Sequence, residues 1–253
     1  MTKPLISLII ATYNSGSFLT YCLDSIESQS FKDFELIIID GNSTDQTVDI
    51  LKKYDKSINY WISEKDSGIY DAWNKGIAQA KGTWITFLGS DDALYPTAFD
   101  DYANFLSTID KDVKYVSSKL NLTDGDRNVI KTLGLPWDWK TCRLQNVIAH
   151  PGSLHHSELY EKYGLYDTSY KICADFEFLL RPGKYLKSAF MDKITVKMQQ
   201  GGISTNAANV FIEHHRAAIA TGELNPFLAF FFLNYQFFKF RIKSFIRKMG
   251  MKI

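Results

Sequence analysis

Apolar positions in the first part of the chain follow two alternating patterns. Short runs from Leu5 to Ile10, Phe34 to Asp40, Ile58 to Ile62 and Thr83 to Gly89 are rich in Ile, Leu and aromatic residues and stop at polar loops. That is the pattern of strands buried in a parallel sheet. Between them, apolar residues recur three and four apart: Phe18, Cys22 and Ile26 with Leu19 and Leu23 beside them, then Val48 and Leu51, then Tyr70, Trp73, Ile77 and Ala80. This spacing predicts helices with one buried face. Strand and helix in alternation predict an α/β fold with a Rossmann-like, mostly parallel central sheet and right-handed crossovers, which collects the loops after the strands at one rim.

Those loops carry Thr12, Tyr13 and Asn14 after the first strand, Asp40 at the end of the second, Asp66 after the third, and Asp91 and Asp92 after the fourth. In an open sheet the crevice beyond the carboxyl ends of the strands binds ligands, so paired acids there suit a cation and a phosphorylated group. The other reading of Asp91-Asp92 is a solvated turn capping the helix after Pro96.

The second half is less regular. Phe99, Tyr102, Leu106 and Ile109 mark a helix, and Val113 to Leu122 with Asn128 to Leu133 predict a hairpin turned at Asp124-Gly125-Asp126. Trp137 and Trp139 lie in a loop, where they either stack on a sugar or cover the core. Asp175 begins a short helix that ends before Pro182-Gly183, and an N-cap is one reading of it. Gln199 to Ser204 follows two predicted strands, with paired glycines that allow either a plain turn or a mobile closing loop. Glu213-His214-His215-Arg216 falls on the next helix with no chemistry assigned.

Taken in order, Ala11-Thr12-Tyr13-Asn14-Ser15, Asp40-Gly41-Asn42-Ser43-Thr44-Asp45, Asp66-Ser67-Gly68-Ile69-Tyr70-Asp71-Ala72-Trp73-Asn74-Lys75-Gly76 and Gly89-Ser90-Asp91-Asp92 resemble the motifs of family 2 glycosyltransferases of the GT-A fold. Each motif alone is weak; the ordered set is specific. The resemblance implies that Thr12, Tyr13 and Asn14 line a nucleotide pocket and that Asp40 reads the base. It places Asp66 near the nucleotide, Asn74 and Lys75 near base or diphosphate, and His150 on the acceptor or diphosphate side, where a structural histidine is the alternative. Asp91 and Asp92 correspond to the metal motif for Mn²⁺ or Mg²⁺, which would stabilise a departing nucleoside diphosphate. The family often carries an acid where Gly89 stands, and a Glu-Asp pair where this chain has Ala174-Asp175. Asp175 is then the expected base, deprotonating an acceptor hydroxyl in a single displacement that inverts the anomeric centre. UDP is the nucleotide expected from the resemblance. A catalytically silent nucleotide-sugar-binding protein of the same fold is the alternative. A sugar nucleotidyltransferase would need a glycine-rich basic loop after the first strand, which is absent.

Composition changes this picture mainly at the end of the chain. From Leu224 to Ile253 there is no acid, while Lys239, Arg241, Lys243, Arg247, Lys248 and Lys252 are basic. Phe231, Tyr235, Phe238, Ile242, Phe245 and Met249 form one helical stripe, which suits a helix lying on an anionic membrane surface, with packing on protein as the alternative. Nucleic acid is not expected as a partner, because the aromatics do not alternate with the basic residues. The expected organisation is a glycosyltransferase domain over 1–222, with a nucleotide-sugar half (1–110) and an acceptor half (111–222), then a basic helical tail over 223–253. Cys22, Cys142 and Cys173 have no disulfide or zinc spacing and fit a reducing cytosol. No signal peptide or transmembrane helix is predicted. The expected location is therefore cytoplasmic, peripheral on the inner face of the cytoplasmic membrane, with a lipid-linked saccharide as acceptor.

Overall fold

The first part of the chain runs β1 (Ile6–Thr12), α1 (Leu19–Glu27), β2 (Phe34–Asp40), α2 (Thr47–Lys53), β3 (Tyr60–Ser63), α3 (Ile69–Gln79) and β4 (Trp84–Gly89) in the computed structural model, which describes residues 3–144, 148–202, 207–232, 234–235 and 238. There follow β5 (Ala93–Leu94), α4 (Ala98–Leu106), β6 (Tyr115–Thr123), β7 (Val129–Leu133), α5 (Trp139–Cys142), β8 (Leu154–His156), α6 (Glu158–Tyr163), α7 (Ala174–Leu180), β9 (Ser188–Gln199) and α8 (Ala207–Ala220). All the strands join one sheet in the order β3-β2-β1-β4-β8-β6-β9-β5, with β7 beside β6.

The block β3-β2-β1-β4 is parallel, as the alternation predicts. Its two-residue period splits the core into two layers. Ile6, Leu8 and Ile10 of β1 pack with Leu36 and Ile38 against α1, α2 and α4. Ile9, Ile37, Ile39 and Phe87 point the other way, against α3, α6 and α7. Both faces are covered by helices, which is why these strands read as continuous apolar runs. Beyond β4 the sheet becomes mixed: β8 is antiparallel to β4 and β6, β5 to β9 and β7 to β6, while β6 and β9 run parallel.

Several expectations are corrected in detail. Phe18 is not on the buried helix face; it occupies the N-cap position of α1 and is 48% exposed. The helix containing Phe99 and Tyr102 ends at Leu106, short of Ile109, and its N-cap is Thr97, so Asp91-Asp92 does not cap it. Before Gln199 there is one continuous strand rather than two. Trp137 and Trp139 are partly buried and pack on the α3/α7 core layer, and Trp139 opens the short helix α5 instead of lying in a loop. Ile203 and Ser204 lie outside the described residues, as do all six basic residues of the tail and its stripe from Ile242 onward.

Candidate functional site

Register brings the strand ends of the parallel block into one row, with Thr12 opposite Asp40, Asp40 opposite Ser63 and Ala11 opposite Gly89. Asp40 is fully buried there. One oxygen accepts from the Thr12 hydroxyl at 2.9 Å and the Ser43 hydroxyl at 2.5 Å; the other accepts from the Ser43 amide at 2.9 Å and the Ser63 hydroxyl at 2.6 Å. A carboxylate has about four acceptor positions, and all are taken by protein donors. Asp40 thus fastens β1, β3 and its own loop together, and direct contact with a base requires one of those donors to give way.

Asn14 adopts a left-handed φ of 49°. That turn lets its amide reach Ser43 Oγ at 2.8 Å while its side-chain oxygen accepts from the Thr44 amide at 3.0 Å. Asn tolerates this conformation better than most residues. Tyr13 is left 66% exposed on the lip. Asp66 folds over Gly41 beside it: a Cβ at Gly41 would stand 2.6 Å from an Asp66 oxygen and 3.3 Å from the Tyr13 ring. Thr12, Tyr13, Asn14, Asp40 and Asp66 are therefore brought together.

Asn74 and Lys75 both have protein partners, and Lys75 also feels the charge of Asp66. The Asn74 amide exchanges two hydrogen bonds with the Tyr166 backbone, both at 2.9 Å, a side-chain imitation of a strand pair that ties α3 to the second half. Lys75 pairs with Glu64 at 2.7 Å and donates to the Lys65 carbonyl at 3.1 Å. The bond to Glu64, more than any other cause, raises its pKa.

Asp91 and Asp92 stand at the end of β4. Asp92 is 4% exposed; it accepts from the Gln199 amide at 2.9 Å and the Gly89 amide at 3.3 Å. Burial, then the neighbouring Asp91, pushes its pKa up to about 7. Burial also raises Asp91, and among the described residues no basic group is a cause of either shift. Both carboxylates lean over Gly89, where an added Cβ would lie 2.7 Å from Asp92 Oδ2 and 2.8 Å from Asp91 Oδ1. The bare glycine is thus a requirement of this geometry. Among the described residues no three His, Cys, Asp or Glu side chains gather as a complete metal cage. Two desolvated, uncompensated carboxylates nonetheless fit a hard divalent ion that takes its remaining oxygens from water and ligand.

Asp175, from the second part of the chain, lies against α3. Cys173 is the N-cap of α7, so Asp175 is the second helical residue and not a cap. The Tyr70 hydroxyl, in the first turn of α3, lies 2.8 Å from Asp175 Oδ1 and 2.6 Å from the Ile172 carbonyl, and donates to this pair of acceptors. Burial, then the charge of Asp175, holds the Tyr70 pKa well above its usual value, so the phenol stays a donor. Glu177 is buried and committed to Arg181 at 2.7 Å and to the Thr221 hydroxyl at 2.8 Å. The partly exposed carboxylate of this helix start is therefore Asp175.

His150 is 8% exposed and stacks on Trp73 at 5.1 Å and Phe87 at 5.4 Å. Burial lowers its pKa, with Asp175 opposing the shift. Its Nε2 and the Trp73 indole nitrogen are both buried without a partner among the described residues.

Sequence reasoning missed Tyr70 as a partner of Asp175, because its helical spacing marks it as core, which it also is. It missed the Ser15–Ser90 hydroxyl contact of 2.8 Å that joins the first loop to the acid pair. Serines in polar loops give no pattern to read.

Residues 7–152 match the model of the family described as Glycosyl transferase family 2. A "PGL/p-HBAD biosynthesis glycosyltransferase" of Mycobacterium bovis is 33% identical over 188 residues, covering 72% of this chain and 70% of that protein. Among solved structures, S. aureus TarS 1-349 in complex with UDP-GlcNAc superposes with a TM-score of 0.68 at 20% identity, covering 90% of this chain and 70% of that one. The chain spans 41% of a longer TarS chain. The mannosyltransferase PcManGT from Pyrobaculum calidifontis, in complex with GDP-Man and Mn²⁺, gives a TM-score of 0.61 at 17% identity, covering 89% of this chain and 67% of that one. At these identities the structural likeness establishes the GT-A fold.

Proposed function

The chain belongs to glycosyl transferase family 2, and from that premise we propose that it transfers a sugar from a UDP-sugar to a hydroxyl of a lipid-linked saccharide acceptor in bacterial cell-surface glycan synthesis, with inversion at the anomeric carbon. The observation that carries the reading is the placement of Asp175, from the second part of the chain, against Tyr70 of the motif-bearing helix α3. Asp91 and Asp92 end the parallel block, and Asp175 is tied to that block by the Tyr70 hydroxyl. The relatives support the donor class: one solved neighbour holds UDP-GlcNAc.

In this reading Tyr13, with Thr12 and Asn14, borders the nucleotide pocket, and the Asp40 network fixes the loop shapes. Asp91 and Asp92 would hold a divalent ion, Mn²⁺ or Mg²⁺, which when bound supplies positive charge for the leaving diphosphate. Asp175 takes the proton of the acceptor hydroxyl as that oxygen bonds to the anomeric carbon and the carbon–oxygen bond to the diphosphate breaks. The Tyr70 hydroxyl holds the Asp175 carboxylate in place. His150, neutral in its aromatic setting, lies on the acceptor side of the same centre.

The tail supports a membrane-borne acceptor. No helix among the described residues is long and apolar enough to cross a membrane. Residues 226–232 are helical and touch the body through Ala229, which is 1% exposed. Phe227, Phe231, Tyr235 and Phe238 are instead turned outward, 51–70% exposed. An outward aromatic stripe leading into a basic segment suits the headgroup region of an anionic membrane.

Calorimetric titration of UDP with and without Mn²⁺, on the parent and on an Asp91→Ala, Asp92→Ala double variant, tests the donor side. Manganese-dependent binding that the double variant loses is expected. Binding of UDP with no turnover of any UDP-sugar in the parent would instead make the chain a silent nucleotide-sugar-binding protein.

A further inference from the structure

The segment that delivers Asp175 is held by a side chain to which the sequence assigned no chemistry. Glu213, on α8, accepts the backbone amides of Lys171 at 2.8 Å, Ile172 at 2.8 Å and Cys173 at 3.0 Å. Three consecutive N–H groups thus converge on one carboxylate just ahead of α7. The Cys173 N-cap has no side-chain cap bond of its own, so the acid comes from a different helix. A negative charge beside the first turn of a helix is favoured by the unpaired amides there. Hydrogen bonds to an ionised acceptor are roughly twice as strong as neutral ones.

The same peptide is held from its other side. The Ile172 carbonyl and the Asp175 carboxylate both face the Tyr70 hydroxyl of α3. Further along α8, Arg216 sits over the Tyr170 ring at 4.1 Å and reaches Ser169 Oγ at 2.6 Å. His214 stacks on Phe176 at 4.1 Å. The run from Ser169 to Phe176 is consequently clasped between α3 and α8, with Glu213 contacting the backbone nearest Asp175.

We propose that Glu213 is a positioning residue for the base: by gathering the amides of residues 171–173 it fixes where Asp175 projects from α7. The proposal rests on the reading of Asp175 as the base. Glu213 touches no substrate and acts only through that loop. A misplacement of about 1 Å at a reacting group can cost on the order of 100-fold in rate, so the loss is expected in turnover and not in donor affinity.

The experiment uses the full chain with Glu213→Gln, Glu213→Asp and Asp175→Asn. Gln keeps the shape but offers one acceptor oxygen in place of two; Asp keeps the charge on a shorter stem. UDP release from UDP-GlcNAc, with water as acceptor, gives kcat and KM, and amide exchange gives the protection of Lys171, Ile172 and Cys173. Glu213→Gln should lower kcat by ~10–100-fold with KM for UDP-GlcNAc and UDP affinity unchanged. Its three amides should lose protection, and Glu213→Asp should recover part of both effects. Amides that stay protected, or a kcat that does not move while the fold and UDP binding are intact, overturn the proposal. A parallel fall of UDP affinity and thermal midpoint overturns it too, since that marks a general packing role. If Asp175→Asn leaves UDP release unchanged, the base assignment fails on its own, and amide exchange alone then decides whether Glu213 organises the loop.

Discussion

At the scale of single residues, the strongest constraint is the absence of a side chain at Gly89. A Cβ there would enter the space in which Asp91 and Asp92 converge. Gly89→Asp, which restores the acid common in the family, should therefore weaken Mn²⁺-dependent UDP binding by ~10–100-fold, the usual cost of disturbing groups that orient metal ligands. Calorimetry reads this directly; unchanged affinity would mean that the two acids do not meet over that glycine. The acid pair also has a pH signature. With Asp92 raised to about 7, a proton competes with any metal near neutrality. The rise in thermal midpoint caused by Mn²⁺ should be larger at pH 8 than at pH 6 and absent from the Asp91→Ala, Asp92→Ala variant. Asp175→Asn should lower turnover by ~10²–10⁴-fold while leaving UDP affinity intact. Asp91, Asp92 and Asp175 were legible because they sit at strand or helix ends next to recognisable motifs. Tyr70, Ser15, Ser90 and Glu213 were not, since a hydroxyl or carboxylate reaching across 40, 75 or 105 positions leaves no local trace.

At the scale of elements, the four parallel strands and their helices were readable because both sheet faces are buried and the periodicities are clean. The later strands were harder. β5 has two residues and β8 three, too short to show any period, and both are defined only by partners distant in sequence. The fit of α3 on the sheet depends on Gly76, where a Cβ would lie 2.5 Å from the Ile9 side chain. Gly76→Ala should destabilise the fold by about 1–3 kcal/mol, the usual range for overpacking, despite its better helix propensity. A urea midpoint equal to the parent's would show that α3 can shift away freely. Because α3 also carries Tyr70, any such shift would be felt at Asp175.

For the whole molecule, pH and membrane contact are the two tests. Burial lowers the pKa of His150, His155 and His214, the last to about 4. An unfolded histidine titrates near 6.5. Their contribution is therefore complete above about pH 6.5 and lost as pH falls toward the folded values. Asp92 has the opposite sign, its contribution present at low pH and lost as pH rises through about 7. His156 is lowered in the same way and Asp91 is raised with Asp92; four histidines oppose two acids, so the thermal midpoint of the metal-free protein should drop between pH 7 and about pH 4.5. A flat or rising midpoint over that interval would contradict the burial of the histidines. Sedimentation with vesicles tests the tail: binding to anionic and not to neutral vesicles is expected, weakened by Phe227→Ser with Phe231→Ser. Equal binding of parent and double variant would sink the membrane reading.

The narrow middle of the sheet has a kinetic consequence. Among the described residues, β8 (Leu154–His156) alone joins the parallel block to the β6–β9 pair within the sheet, and it meets β4 at two register positions and β6 at two. Within the block β1 meets β2 across 28 positions, Ile6 with Phe34, and β2 meets β3 across 23, Ile37 with Tyr60, whereas β1 with β4 must bring together residues 78 apart, Ile6 with Trp84, and β6 with β9 residues 73 apart, Tyr115 with Ser188. Long loops carry an entropy cost before their contacts reward it. Refolding should accordingly proceed in two stages, with amides of β1, β2 and β3 protected in pulse labelling before those of β4, β6 and β9; simultaneous protection would rule this out. Half of the nucleotide rim would then exist before Asp175 has a place to dock, and a bound nucleotide could serve as a template for the second stage.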